Sequence, residues 1–319
     1  MAKPKISLYL ADQSNEYQQM LVLDAKRAAE AAGLTLESNF ADNQITVQIR
    51  QVYSSINNDQ SNRTRAIIVM PVRDNSLNRV ANDAAKAGIG WVCLHRKMDY
   101  IDELRQNYPG LPIATVGPDQ TEIGHIQARQ FRAILPKGSH ALYVKGNFAN
   151  SSAELRLAGM LEGVEGSGID ARDTLSGNWT TEDAERAVEG WLRMVLSGSS
   201  RLDLIGCQND AMAVGAHNAL ESVASYLRRP EIAKIPVTGC DGLPARGQQL
   251  VNDGTLAATI VVPSSGSTAV QLVAQTLETG VQPPREVLLQ SVSYPDEASL
   301  AGRLLLNAPL NANRPPARD

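Results

Sequence analysis

Leu204-Ile-Gly-Cys-Gln-Asn-Asp-Ala-Met-Ala-Val-Gly215 decides the fold. An apolar run, Leu202, Leu204 and Ile205, stops at Gly206. A polar cluster of Gln208, Asn209 and Asp210 follows at once, and Ala211 to Leu220 reads as a helix. Strand, polar tip, helix is how an open α/β sheet presents ligand-contacting groups at the carboxyl edge of a strand. A second tip of the same form follows in Ile235-Pro-Val-Thr-Gly-Cys-Asp-Gly-Leu-Pro244. There an apolar strand ends in Cys240 and Asp241, and Gly242 lets the chain turn. Two successive strands thus bring Asn209 and Asp241 to one sheet edge.

The same alternation runs outward from this stretch. Lys5 to Ala11 is a short apolar strand with a polar tip, Asp12-Gln-Ser-Asn-Glu16. Tyr17 to Ala32 carries apolar residues at helical spacing and stops at Gly33. Further strands are expected at Leu34–Ser38, Arg65–Met70, Ile89–Leu94 and Pro112–Val116, with helices at Gln44–Asn57 and Asn75–Ala87. Met98 to Gly110 reads as a surface excursion with one short helix. At Asp119 the pattern restarts. A helix runs to Leu135, followed by strand His140–Lys145, helix Ser152–Gly163, strand Ile169–Leu175 and helix Thr181–Leu196. After the opening stretch come a helix over Pro244–Val251, strand Leu256–Val262, helix Ser264–Leu277 and a last strand, Glu286–Val292. Right-handed crossovers then give parallel sheets covered by helices. The expected fold class is α/β, with two tandem Rossmann-like lobes facing each other across a ligand cleft.

Composition narrows the function. The 319 residues suggest about two domains. A hydrophobic share of 43% with 20% charged residues is that of an ordinary globular chain. A formal charge of −4 gives no bulk attraction to nucleic acid or anionic lipid, so neither is expected as a partner. No apolar run approaches the roughly 18 residues of a membrane span. Met1-Ala-Lys-Pro-Lys5 leads into an apolar segment, Ile6 to Leu10, too short for a signal peptide. The expectation is that the protein stays inside, or that a signal once preceded Met1 and was removed.

Nothing in the sequence argues for catalysis. It has no Walker A motif, no Gly-x-Ser-x-Gly elbow and no His-Glu-x-x-His. Gly163-Val-Glu-Gly-Ser-Gly168 follows a helix rather than a strand, so it fails the context of a dinucleotide loop. The four histidines show no metal-ligand spacing. Cys93, Cys207 and Cys240 each end an apolar strand and read as small buried hydrophobes. No cofactor and no metal is expected.

Gln208-Asn-Asp-Ala-Met-Ala-Val-Gly-Ala216, Gly239-Cys-Asp-Gly-Leu-Pro244 and Asn252-Asp-Gly-Thr-Leu-Ala-Ala-Thr-Ile260 resemble, in order and spacing, the sugar-binding type I periplasmic binding proteins of the ribose-binding group. The ligand domain of lactose-repressor-type regulators shares that fold. The resemblance implies discontinuous lobes, 1–117 plus 263–288 and 118–262 plus 289–304; the proline-bearing end, 305–319, is expected to be a disordered tail. It also implies a ligand held between the lobes by hinge closure. Carried over residue by residue, it puts Asn15 and Tyr17 at the first tip, and it keeps Arg96 while His95 departs from the family's aspartate. Asp119 follows the fifth strand, and Glu154 stands where an arginine is frequent. Trp179, Asn209 and Asp241 complete the set. The family's glutamine after the Ala-Thr-Ile strand is lost to Val261-Val-Pro263, leaving Ser264 or Ser265 as substitutes.

These residue types suit a sugar. Asn, Asp and Arg make directional paired hydrogen bonds to hydroxyls, and aromatic rings cover the C–H faces and exclude water. Each also has a plainer reading. Asp210 is expected to cap the helix that follows it rather than to touch ligand, and Asp241 before Gly242 could merely cap the next helix. Arg96 could form a surface ion pair. Tyr17 and Trp179 could be core aromatics, His95 a satisfied polar side chain, and Trp91 and Trp191 structural. The expected function is reversible, non-catalytic capture of a mono- or small saccharide by a periplasmic monomer serving the membrane permease of an ABC importer. The alternative is a stand-alone sensor handing its ligand state to a partner protein. A DNA-bound regulator would need a helix-turn-helix before the first strand, and none is read there.

Overall fold

The structure, a computed structural model, describes residues 3–57, 63–96, 98–147, 150–196 and 201–301. The expected tail at 305–319 lies outside the described residues. Elements are numbered along the chain. Two compact units are present. One comprises Met1–Gln120, Asn147–Leu155 and Val262–Ser291; the other comprises Thr121–Gly146, Arg156–Val261 and Val292–Asp319. The lobe boundaries suggested by the resemblance lie within a few residues of three of these changes. The short return at Asn147–Leu155 has no counterpart among them.

In the first unit, strands β1 (Lys5–Leu10), β2 (Thr35–Phe40), β3 (Thr64–Val69), β4 (Gly90–Leu94), β5 (Ile113–Pro118) and β11 (Glu286–Leu289) form one parallel sheet in the order β11-β5-β4-β3-β1-β2. All six residues of β1 are buried, as expected of a strand covered on both faces, while β2 at the edge carries the polar Glu37, Ser38 and Asn39. Helices α1 (Glu16–Ala31), α2 (Ile45–Ile56), α3 (Asn78–Lys86), α4 (Ile101–Asn107) and α10 (Ser265–Thr279) alternate with these strands. Helix α10 approaches α1 closely, since a Cβ on Gly266 would lie 2.5 Å from the Leu21 carbonyl oxygen. The segment read as a surface excursion proves to be a core element. Met98, Tyr100, Ile101 and Leu104 are buried in the cluster around Trp91, because the Ile101/Leu104 spacing gives α4 an apolar face.

In the second unit, β6 (Ala141–Lys145), β7 (Thr174–Ser176), β8 (Leu204–Cys207) and β9 (Val237–Thr238) form a parallel sheet in the order β7-β6-β8-β9. Beside it, β10 (Thr259–Val261) pairs antiparallel with β12 (Val292–Tyr294). The helices are α5 (Gln120–Ile134), α6 (Ser151–Val164), whose first turn up to Leu155 belongs to the first unit, α7 (Thr181–Val195), α8 (Asp210–Leu227) and α9 (Gly247–Asn252). Gly206 does not end β8. It lies within the strand because the Phe131 ring packs on it, and a Cβ there would meet Phe131 Cζ at 2.2 Å. The strand expected over Ile169–Leu175 is mostly irregular. Asp170 bonds the backbone and guanidinium of Arg172, a local alternative to the ladder. The expected last strand is two strands, β11 and β12, one in each unit. No helix among the described residues is long and apolar enough to cross a membrane.

Candidate functional site

At the carboxyl edge of the second unit's sheet, the chain leaves β8 through Gln208 and Asn209. Asn209 is 2% exposed and has the extended backbone of an N-cap. Its Oδ1 accepts the Met212 N–H at 2.8 Å, and its Nδ2 donates to the Trp179 carbonyl at 3.1 Å. The helix cap therefore belongs to Asn209 and not to Asp210, which reverses the sequence reading. Asp210, 4% exposed, faces the next tip. Its Oδ2 accepts the Gly242 N–H at 2.8 Å and its Oδ1 the Thr259 hydroxyl at 2.6 Å. Two glycines leave room for this carboxylate: a Cβ on Gly239 of the second motif, or on Gly247 at the start of the helix that follows, would lie 2.2 or 2.0 Å from its oxygens.

That arrangement sets the backbone of Asp241. Its N–H donates to the Ile260 carbonyl at 3.0 Å, its φ is +109°, and its side chain is half-buried. Asp241 does not cap the following helix, because α9 begins at Gly247 with Arg246 at its N-cap. Trp179 also has a positive φ, +69°, and its indole packs against Gly146, where a Cβ would meet the ring at 2.0 Å. Its Nε1–H is buried without a hydrogen-bond partner among the described residues.

Two residues that the sequence reading did not select complete this edge. Arg156 lies two residues beyond Glu154, where the resemblance suggests an arginine, and Gln208 is part of the opening motif. Arg156 is 4% exposed, donates to the Gln208 carbonyl at 2.6 Å, and sits 5.6 Å from the centroid of the Trp179 ring. Gln208 is fully buried, and its Oε1 accepts the Gly146 N–H at 3.0 Å. The signal for Arg156 lies in helical spacing: Met160 and Val164, at i+4 and i+8, mark the buried face of α6. Arg156 is held there by a tight crossing of α5 and α6, where Cβ atoms on Gly124 and Gly159 would each come within 2.2 Å of the other helix's backbone.

In the first unit a pocket of about 130 Å³ opens at the ends of β4 and β5, lined by His95, Arg96, Asp119, Gln120, Ser151 and Glu286 among others. Arg96 forms a buried ion pair, not a surface one, with Nη1 2.9 Å from Asp74 Oδ1. Burial pulls its guanidinium below the ordinary arginine value, and Asp74 offsets part of that shift. Asp74 Oδ2 in turn accepts the Ser151 N–H at 2.7 Å. Of the residues expected in this unit, Arg96 and Asp119 share the pocket. Glu154 is exposed on the first turn of α6, next to the pocket residue Leu155. Asn15 caps α1, accepting the Gln18 N–H at 3.0 Å. Tyr17 is 6% exposed, and its hydroxyl donates to the Pro263 carbonyl at 2.8 Å. Of the candidate substitutes, Ser264 caps α10, and Ser265 Oγ lies 2.9 Å from His95 Nε2. Trp91 is fully buried, and Trp191 stacks on His140. The described residues hold no group of three or more His, Cys, Asp or Glu able to bind a metal.

Known proteins share this organisation. A family model described as "Periplasmic binding protein domain" matches residues 6–280. The fructose import binding protein FruE of Bifidobacterium longum is 26% identical over 277 residues, covering 86% of this chain and 79% of that protein. The D-ribose/D-allose-binding protein of Pseudomonas aeruginosa is 24% identical over 265 residues, with 81% and 76% covered. A protein named for rhizopine binding in Rhizobium meliloti is 26% identical over 209 residues, and the match spans 63% of its length. Among solved structures, an ABC transporter solute-binding protein from Actinobacillus succinogenes with bound D-allose superposes with a TM-score of 0.75 at 24% identity, covering 94% of this chain and all of that one. One from Bacillus halodurans with bound myo-inositol gives 0.77 at 21% identity, with 95% and 98% covered. With the motifs, the parallel sheets and the family match in agreement, the chain belongs to the periplasmic binding protein domain family.

Proposed function

We propose that this chain is a solute-binding protein that reversibly captures a small saccharide or polyol for an ABC importer. In this reading the recognition groups are Arg96, Asp119 and Glu154 in the first unit, and Trp179, Asn209 and Asp241 in the second. Asn15 and Tyr17 support the first edge through α1. The observation that carries the reading is the backbone of the second unit's tips. Asp241 and Trp179 both hold positive φ, which costs side chains of these types of order 1–3 kcal/mol each. Such strain persists where the surroundings over-determine it, and here it presents a carboxylate and an indole at a sheet edge. A carboxylate binds paired hydroxyls and an indole covers a sugar's C–H face. The relatives' named ligands, fructose, ribose and allose, are of the same chemical class. Periplasmic residence and a permease partner belong to the same proposal.

The test is a titration with D-allose, D-ribose, D-fructose, myo-inositol and xylitol, read by tryptophan fluorescence and thermal shift. A saturable response to one or more supports the proposal. No response to any of them, with a response to an amino acid or nucleoside, overturns it.

A further inference from the structure

The first unit is assembled from three chain segments, Met1–Gln120, Asn147–Leu155 and Val262–Ser291. All three meet at His95. Its imidazole Nε2 lies 3.1 Å from the Tyr17 hydroxyl and 2.9 Å from Ser265 Oγ. The Tyr17 ring meets the imidazole edge-on, with centroids 5.2 Å apart. The His95 carbonyl accepts Gln120 Nε2 at 3.2 Å and Ser152 Oγ at 3.0 Å. Its N–H donates to Val116 O at 2.9 Å. The backbone turns out of β4 there with φ +64°, a region histidine enters more readily than most residues. Gly117 makes room for the turn, since a Cβ on it would lie 2.8 Å from His95 Cα. The pocket beside this junction is likewise walled by all three segments, through Arg96, Ser151 and Glu286.

The partners of the imidazole set its tautomer. Tyr17 has one hydroxyl proton, and it goes to the Pro263 carbonyl, which can only accept. The Tyr17 oxygen can then contact Nε2 favourably only as an acceptor, so Nε2 carries a hydrogen, which is shared between the Tyr17 oxygen and Ser265 Oγ while the Ser265 proton turns away from the ring. We infer that His95 is a positioning residue for ligand capture, whose Nε2–H fastens α1 and the start of α10 to the end of β4 and so fixes the backbone that carries Arg96 into the pocket. The inference rests on the reading that this pocket takes part in sugar capture.

The test uses the ¹⁵N-labelled full chain with His95→Gln, which keeps an N–H donor, and His95→Leu, which removes it. Long-range ¹H–¹⁵N imidazole spectra of the wild type at neutral pH should show His95 as the Nε2–H tautomer. His95→Leu should move the Arg96 Nε–H resonance and weaken binding of the responding sugar by about tenfold, the loss of roughly one hydrogen-bonded anchor. His95→Gln should recover most of both, with circular dichroism showing both variants folded. An Nδ1–H tautomer overturns the inference. So does a folded His95→Leu with unchanged Arg96 resonance and affinity, or a folded His95→Gln that fails as His95→Leu does. If the wild type binds no sugar in the panel, the functional reading fails, while the tautomer and the Arg96 resonance still decide the positioning role. If His95→Leu does not fold, the tautomer and His95→Gln decide it.

Discussion

Asn209 and Asp210 are neighbours, and either could cap α8; their bonds give them different work and different predicted losses. Asn209→Ala removes the acceptor for Met212 N–H and should cost about 1 kcal/mol of stability in urea unfolding. Asp210→Ala strands the Gly242 N–H and the Thr259 hydroxyl in a buried site and should cost about 3 kcal/mol. If the two losses came out equal, the carboxylate would not be holding the second tip. Asp241 predicts the opposite pattern. Its φ of +109° is one that glycine adopts freely, so Asp241→Gly should gain about 1 kcal/mol while losing sugar affinity in the fluorescence titration. A variant that binds sugar as the wild type does would remove Asp241 from the site. Asn209, Asp241 and Arg96 were legible in the sequence because a polar residue closing an apolar run marks a strand tip. Arg156 and Gln208 were not, because a buried polar group is recognised by its partners, and theirs come from Trp179, Gly146 and Cys240.

At the scale of elements, glycines separate into those that permit close packing and those that do not. A Cβ on Gly159 would lie 2.2 Å from Thr121 O across the α5–α6 crossing, so Gly159→Ala should force the helices apart, lower stability by about 2 kcal/mol and displace Arg156. Gly190 lies inside α7 with nothing within 4 Å of an added Cβ, so Gly190→Ala should stabilise by about 1 kcal/mol through helix propensity alone. Thermal denaturation of the two variants checks both signs. Local pattern does not tell these glycines apart, since each sits in a helical pattern and only the neighbouring element distinguishes them. Gly206 was misread as a strand end for the same reason. Met98 to Gly110 reads as a surface excursion because the few apolar residues of Met98–Leu104 gain meaning only against Trp91.

At the scale of the whole chain, the three cysteines are buried, and burial pushes the Cys93 thiol up to about 11 and Cys240 to about 12. A thiol reagent at mildly alkaline pH should leave all three unmodified in the native protein and label them on unfolding. Rapid native labelling would mean that the sheets open. A hydrogen bond and charge from Arg172 hold the Asp170 carboxyl down at about 2. A depressed carboxyl stabilises the fold above its unfolded value of about 3.9, and that contribution disappears as pH falls through about 2. Asp170→Asn should therefore lower stability slightly at neutral pH, less at high salt, and negligibly once the pH is below about 2. The sequence by itself determined the α/β alternation, the parallel sheets and which residues stand on strand tips, because strand and helix periods and tip chemistry are local properties. Only the tertiary structure decided what those tips do. It gave the cap to Asn209 and the clamp to Asp210, because the Gly242 and Thr259 donors that claim the carboxylate lie 32 and 49 residues away in the chain. It made His95 a junction because its partners come from three separate segments, a proximity that no local pattern encodes.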